Sequence, residues 1–250
     1  MQARSLPARH GLLWLIQGFR LLRRNPPLLI SLTLSYWLVF ALLLQISPLL
    51  GSILLPLVLP VITLIIANGN RAVEQGRKWP LPPKTLTASV SLRNKPLMQL
   101  CGINLASSAV IALISALLLG DAFDDKELLQ SDPGKLLLLM GELLIITAPL
   151  LLAFWFSPLL AGWDGVPAVK ALFFSLVACL RNWRAFTAYG VAAAGVAVVI
   201  PSLLMAVLLT LMPDAAATIF TVLRMAFLLL LAPALMAGAY LGYCDIFSHE

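Results

Sequence analysis

Charge is scarce in this sequence. Only 11% of its 250 residues are Asp, Glu, Lys or Arg, where a soluble domain carries about 25%. That shortfall excludes water as the only solvent. Histidine is almost missing: His10 and His249 stand at the two chain ends, which excludes a histidine-based triad or zinc set. The cysteines Cys101, Cys179 and Cys244 share no metal or disulfide spacing and read as reduced packing residues. A glycine-rich phosphate loop and a G-x-S-x-G elbow are both missing, removing the commonest nucleotide and acyl-transfer signatures. A membrane enzyme that processes lipid needs acids, histidines or serines clustered at one interface, and no such cluster is visible along the chain. No enzymatic activity, metal or cofactor is therefore expected.

Hydrophobic residues make up 61% of the chain, and they come in runs. The spans read as 27–47, 52–70, 97–119, 136–160, 186–211 and 220–243, each near the roughly 20 residues that cross a bilayer as a helix. Lipid offers no partner for a bare backbone amide, so spanning segments are helices or closed barrels. These runs are continuous rather than alternating, which excludes a barrel. The fold class is all-α: a polytopic membrane helical bundle with six transmembrane helices. Arg4 and Arg9 precede an apolar stretch that carries Gln17, Arg20, Arg23 and Arg24 and lacks an A-x-A exit, so no cleaved signal peptide is expected.

Net charge is +6, yet its placement argues for orientation rather than for nucleic acid. Fourteen of the 17 basic residues fall in the N-terminal segment, in 70–96 and in 162–184. The other side holds Lys126, Lys135 and Arg224 with six acids, among them Asp121, Asp124, Asp125, Glu127 and Asp132. Positive charge is held on the cytoplasmic face, which predicts both termini in the cytoplasm of a bacterial inner membrane. The acidic loop reads as solvated.

Three stretches resemble one another: GLLWLIQGFRLLRRNPPLL, KTLTASVSLRNKPLMQL and AVKALFFSLVACLRNWRAF. Each is helix-like, ends in Arg-Asn (Arg24-Asn25, Arg93-Asn94, Arg181-Asn182) and runs straight into a span. The second span of each copy carries a proline, in LVLPVITL at Pro60, ITAPLLLA at Pro149 and LLAPALMA at Pro233. The chain thus reads as three parallel helical-hairpin repeats, 11–76, 82–166 and 167–247, each preceded by a cytoplasmic surface helix. They form one membrane domain, 1–250.

Several residues invite a functional reading beside a structural one. In 12–24, Gln17, Arg20 and Arg24 recur at helical spacing with Arg23 beside them, while Leu12, Leu13, Trp14, Leu15, Ile16, Phe19 and Leu22 cover the rest. Such a helix lies among headgroups with its arginines near lipid phosphates; it serves as an anchor, or as a lipid or partner site. Asn25, Asn94 and Asn182 suit N-caps, or else the Arg-Asn pairs ring a vestibule that takes an anion. In-span prolines break helices, with Thr147 placed to satisfy the carbonyl that Pro149 frees. Glu142 lies inside the fourth span, and aligning the fourth and sixth spans on their Ala-Pro pairs sets Arg224 about 3 Å from its depth. They make a structural ion pair or a coupling site. Gly238 and Gly242 suit close helix packing, within the chain or across a homodimer seam.

The runs KALFFSLVACLRNWRAF, GFRLLRRNPPLL and LLAPALMAGAYLGYCDIF resemble an uncharacterised family of small multi-pass inner-membrane proteins of Gram-negative bacteria. The resemblance implies location and topology and transfers no catalytic residue. A non-enzymatic scaffold or accessory factor is the leading expectation, and a small-solute or lipid transporter or channel coupled at Glu142 and Arg224 is the alternative. The expected partners are anionic lipid headgroups and another inner-membrane protein.

Overall fold

The computed structural model describes residues 4–78, 80–124, 133–212 and 215–247. Trp79, the acidic loop from Asp125 to Asp132, Asp214 and His249 lie outside the described residues. Among the described residues there are nine helices and no strand: α1 Arg9–Arg24, α2 Pro26–Ile46, α3 Pro48–Glu74, α4 Pro83–Leu86, α5 Lys95–Asp124, α6 Pro133–Trp163, α7 Ala168–Arg181, α8 Trp183–Leu211 and α9 Ala216–Phe247. Six of them (α2, α3, α5, α6, α8 and α9) are long and apolar enough to cross a membrane.

Local chemistry sets the joints. Between α1 and α2 only Asn25 is non-helical; its Oδ1 accepts the Leu28 N–H at 3.4 Å, and Pro26 follows at the first helical position. Ser47 alone joins α2 to α3, its Oγ accepting the Leu50 N–H at 3.3 Å. α3 ends in a Schellman turn: Arg77 N–H reaches Ala72 O, Gly76 N–H reaches Val73 O, and Gly76 takes φ +78°.

The second copy departs from expectation. Its predicted surface helix is reduced to the four residues of α4, followed by turns with Ser89 at φ 64°. Thr85, Thr87, Ser89 and Ser91 explain this, because hydroxyl and β-branched side chains compete with helical bonding. Thr87 Oγ1 donates to Pro83 O at 3.0 Å, and Asn68 Nδ2 on α3 bonds Leu86 O and Ala88 O, each at 2.8 Å.

Two compact units divide the chain, and they cut across the sequence copies. The first comprises Met1–Leu42, Ile62–Ala88 and Ala178–Glu250; the second comprises Leu43–Val61 and Ser89–Val177. Within the first, α1 packs on both α8 and α9, burying Gly11, Trp14, Leu15, Gly18, Leu21 and Leu22. Glycine permits the approach: a Cβ on Gly11 would stand 2.0 Å from Ala185 O, and one on Gly18 would stand 2.3 Å from Ala234 O. Gly238 and Gly242 face Trp14, so that pair packs within the chain. Trp14, Leu15 and Leu22 are therefore core, not headgroup cover, and the outward apolar residues are Leu12, Leu13 and Ile16.

Within the second unit α5 packs on α6. Pro60 has no N–H for the carbonyl of Pro56, and Asn104 Nδ2 on α5 supplies a donor at 2.7 Å. Thr147 behaves otherwise than expected: its hydroxyl donates to Leu143 O at 2.8 Å, the ordinary back-bond one turn away, and not to the carbonyl freed by Pro149. Ser175 on α7 enters the α6 ladder. Its Oγ accepts Phe156 N–H at 2.9 Å and donates to Leu152 O at 2.8 Å, standing between two groups that would otherwise bond each other.

Candidate functional site

The last two turns of α9 carry Tyr240, Cys244 and Asp245, the last of these the one acid in that helix. Tyr240 and Cys244 lie four apart, hence on one face of α9. The Schellman turn holds Glu74 in the last turn of α3, where its Oε2 accepts the Tyr240 hydroxyl. Arg71, one turn earlier, lies within electrostatic reach of Cys244. From α1, Trp14 Nε1–H donates to Asp245 Oδ2 at 2.7 Å, and His10 Nδ1 lies 3.5 Å from the same oxygen.

The sequence shows no local sign of this gathering of Glu74, Tyr240, Asp245 and His10. The members stand up to 235 residues apart in sequence, so no local motif announces it. The available signal was Asp245 itself, an acid close to Tyr240 and Cys244 at the end of an otherwise apolar helix.

Exposure separates the strong contact from the weak one. His10 and Asp245 are 26% and 41% exposed, so their contact contributes at most about 1 kcal/mol. Trp14 is 1% exposed, and an indole N–H buried that deeply needs an acceptor; a bond to a carboxylate contributes about 1.5–3 kcal/mol. Trp14 also meets Phe186 edge-on at 5.6 Å and Tyr189 at 6.3 Å. Tyr189 in turn donates to Leu235 O at 2.6 Å. The cluster ties α1, α3, α8 and α9 together.

The three asparagines chosen from sequence have different roles. Asn25 caps α2, and Asn94 caps α5 through the Leu97 N–H at 3.3 Å while its Nδ2 reaches Ser89 O at 2.9 Å and Gly162 O at 3.5 Å. Asn182 precedes α8 without a side-chain cap. Instead its Oδ1 accepts Leu6 N–H at 2.7 Å and its Nδ2 donates to Arg4 O at 2.8 Å. Arg4 N–H completes the tether by donating to Ile246 O at 3.1 Å. This corrects the capping expectation for Asn182: a primary amide matches a backbone N–H and C=O together, and here the N-terminal segment runs past it. The arginines Arg20, Arg23, Arg24, Arg93 and Arg181 are exposed.

Glu142 and Arg224 are exposed on α6 and α9 and belong to different compact units. Arg224 lines a groove of about 550 Å³ between α8 and α9, with Pro201, Ser202 and Phe220 among its neighbours.

Within the first unit the N-terminal segment, the end of α3, the start of α8 and the end of α9 meet at one end, as spans traversed in alternating directions require. The same feature marks the second unit, where Asn94 joins the start of α5 to the end of α6. Among known proteins the chain is similar to the "Probable inner membrane protein BTH_II0599" of Burkholderia thailandensis, at 34% identity over 204 residues, covering 76% of this chain and 74% of that one. The chain belongs to that protein's family. It is an inner-membrane protein with six transmembrane helices. The relative's name states a membrane and no activity. No family model and no solved structure matches the chain.

Proposed function

We propose that the protein is a non-enzymatic scaffold or accessory factor of the inner membrane, with its termini cytoplasmic. One observation carries this reading: the polar side chains gathered by α1, α3, α8 and α9 are engaged in bonds that tie helices to one another. What α1 turns outward is a docking face. Leu12 and Ile16 are each 48% exposed and Leu13 is 39% exposed, with Arg20, Arg23 and Arg24 one to two turns further on. Apolar residues at the acyl boundary and arginines at anionic headgroups, each worth about 1 kcal/mol near a membrane surface, suit such a face. The Lys/Arg distribution supports the orientation, and reporter fusions to the C-terminus test it.

The docking role is tested by purification from native membranes in mild detergent. A partner membrane protein should co-purify stoichiometrically, and Arg20→Gln/Arg23→Gln/Arg24→Gln should lose it without losing thermal stability. Retention of the same partner by the triple variant, or a parent protein that elutes alone, overturns the reading.

A second reading, a transporter or channel coupled at Glu142 and Arg224, is favoured by the groove at Arg224 and by the cost of leaving ionisable side chains in a span. On this reading Glu142→Gln abolishes proton- or cation-dependent uptake into proteoliposomes while the protein stays folded. Uptake that survives the substitution ends it.

A further inference from the structure

The groove between α8 and α9 lies toward the end of the first unit away from the chain termini. Its α8 wall includes Ala197, Val198 and Ser202, and its α9 wall includes Phe220, Arg224 and Leu228. Arg224 is its one charged lining residue. Among the described residues Arg224 makes no hydrogen bond or ion pair. The exposed Ser202 hydroxyl likewise makes no hydrogen bond among the described residues, which leaves it available to a ligand. Ser202 stands nine residues before Leu211, the end of α8, and Arg224 stands eight after Ala216, the start of α9. The two polar groups thus share one depth in the groove.

That depth has a physical meaning. α9 has 32 residues and so is about 48 Å long at 1.5 Å per residue. A hydrocarbon layer about 30 Å thick, centred on the helix, ends about 4 Å beyond Arg224. A guanidinium on a flexible arm reaches the phosphate plane from there by snorkelling. The remaining lining is apolar, and it continues from Arg224 toward Ala197, Val198 and Leu228, the direction in which acyl chains run.

We propose that this groove is a binding site for an anionic phospholipid of the adjacent leaflet. The phosphodiester meets Arg224, Ser202 donates a second hydrogen bond to it, and one acyl chain lies along Ala197, Val198 and Leu228. Charge complementarity selects this occupant: a single cation above an apolar trough matches an amphiphile with one anionic head. The bidentate geometry of arginine suits a phosphate better than a point charge would.

The test uses the full-length protein in nanodiscs of phosphatidylcholine doped with phosphatidylglycerol, with retained lipid counted by native mass spectrometry. The parent should hold one more phosphatidylglycerol than Arg224→Gln, whose apparent affinity falls by about fivefold or more, the size of one arginine–headgroup contact. Arg224→Lys should keep the charge selectivity with weaker retention, and Ser202→Ala should fall between parent and Arg224→Gln. The parent and Arg224→Gln should unfold at the same detergent concentration, since the side chain is exposed. Equal retention of phosphatidylglycerol by parent and Arg224→Gln overturns the proposal. So does equal retention of phosphatidylcholine by the parent, or a Ser202→Cys variant that cross-links quantitatively to a second copy.

Discussion

Placing a single methyl group on Gly11 or Gly18 should unfold α1 from its cleft, with each Gly→Ala substitution destabilising the protein by about 3 kcal/mol. The obstacle is backbone, which does not move aside as a flexible side chain does. At Gly11 the new Cβ would sit 2.0 Å from Ala185 O and 2.7 Å from Tyr189 N; at Gly18 it would sit 2.3 Å from Ala234 O and 2.9 Å from Gly238 N. Helix propensity alone points the other way, since alanine in a helix is favoured over glycine by about 0.5–1 kcal/mol. Gly102, Gly141 and Gly190 supply the control, because a Cβ on any of them meets nothing within 4 Å. Their alanine variants should be neutral or slightly stabilised. Unfolding in mixed micelles with rising SDS measures both sets. If Gly18→Ala unfolds at the parent's SDS fraction, the close packing of α1 against α9 is wrong.

The second large effect concerns Trp14. Trp14→Ala removes an almost fully buried indole and its edge-on contacts with Phe186 and Tyr189, and should cost about 3–5 kcal/mol. Trp14→Phe keeps most of the ring contact but deletes the donor to Asp245, for a loss of about 1–2 kcal/mol. A double-mutant cycle of Trp14→Phe with Asp245→Ala isolates the bond, with an expected coupling of about 1.5 kcal/mol. A coupling near zero would falsify the assignment of Asp245 as the acceptor that fixes α1 in register. In the same cycle His10→Gln should change little, because its contact with Asp245 is long and partly exposed.

Sequence and structure agree best where the physics is one-dimensional. The expected spans 27–47 and 186–211 lie inside Pro26–Ile46 and Trp183–Leu211 to within a residue, because an uninterrupted apolar run has only the helix as a way to cross lipid. Asn25 and Asn94 cap as local preference dictates. Asn182 likewise follows an arginine and has a different role, because a segment from the other end of the chain runs past it. Glycine pairs were legible as packing sites, whereas the partner of Gly238 was not: Trp14 is more than two hundred residues away. The α1 helix was legible as amphipathic, with Arg20, Arg23 and Arg24 outward. Its apolar residues were assigned together to the headgroup region, although Trp14, Leu15 and Leu22 are buried where α1 packs on α8 and α9.

Composition and charge placement determined the solvent, the helical class and the number of crossings, since these depend on each segment's own transfer energy and on nothing distant. Only the tertiary structure decided that α1 is wedged between α8 and α9, that Glu74, Tyr240, Asp245, Trp14 and His10 meet, and that Asn182 tethers the N-terminal segment. Hydrophobicity is nearly uniform among these helices, so it does not rank their pairings in lipid. The choice falls to close backbone approach and to a few directional hydrogen bonds, and both depend on which helices become neighbours.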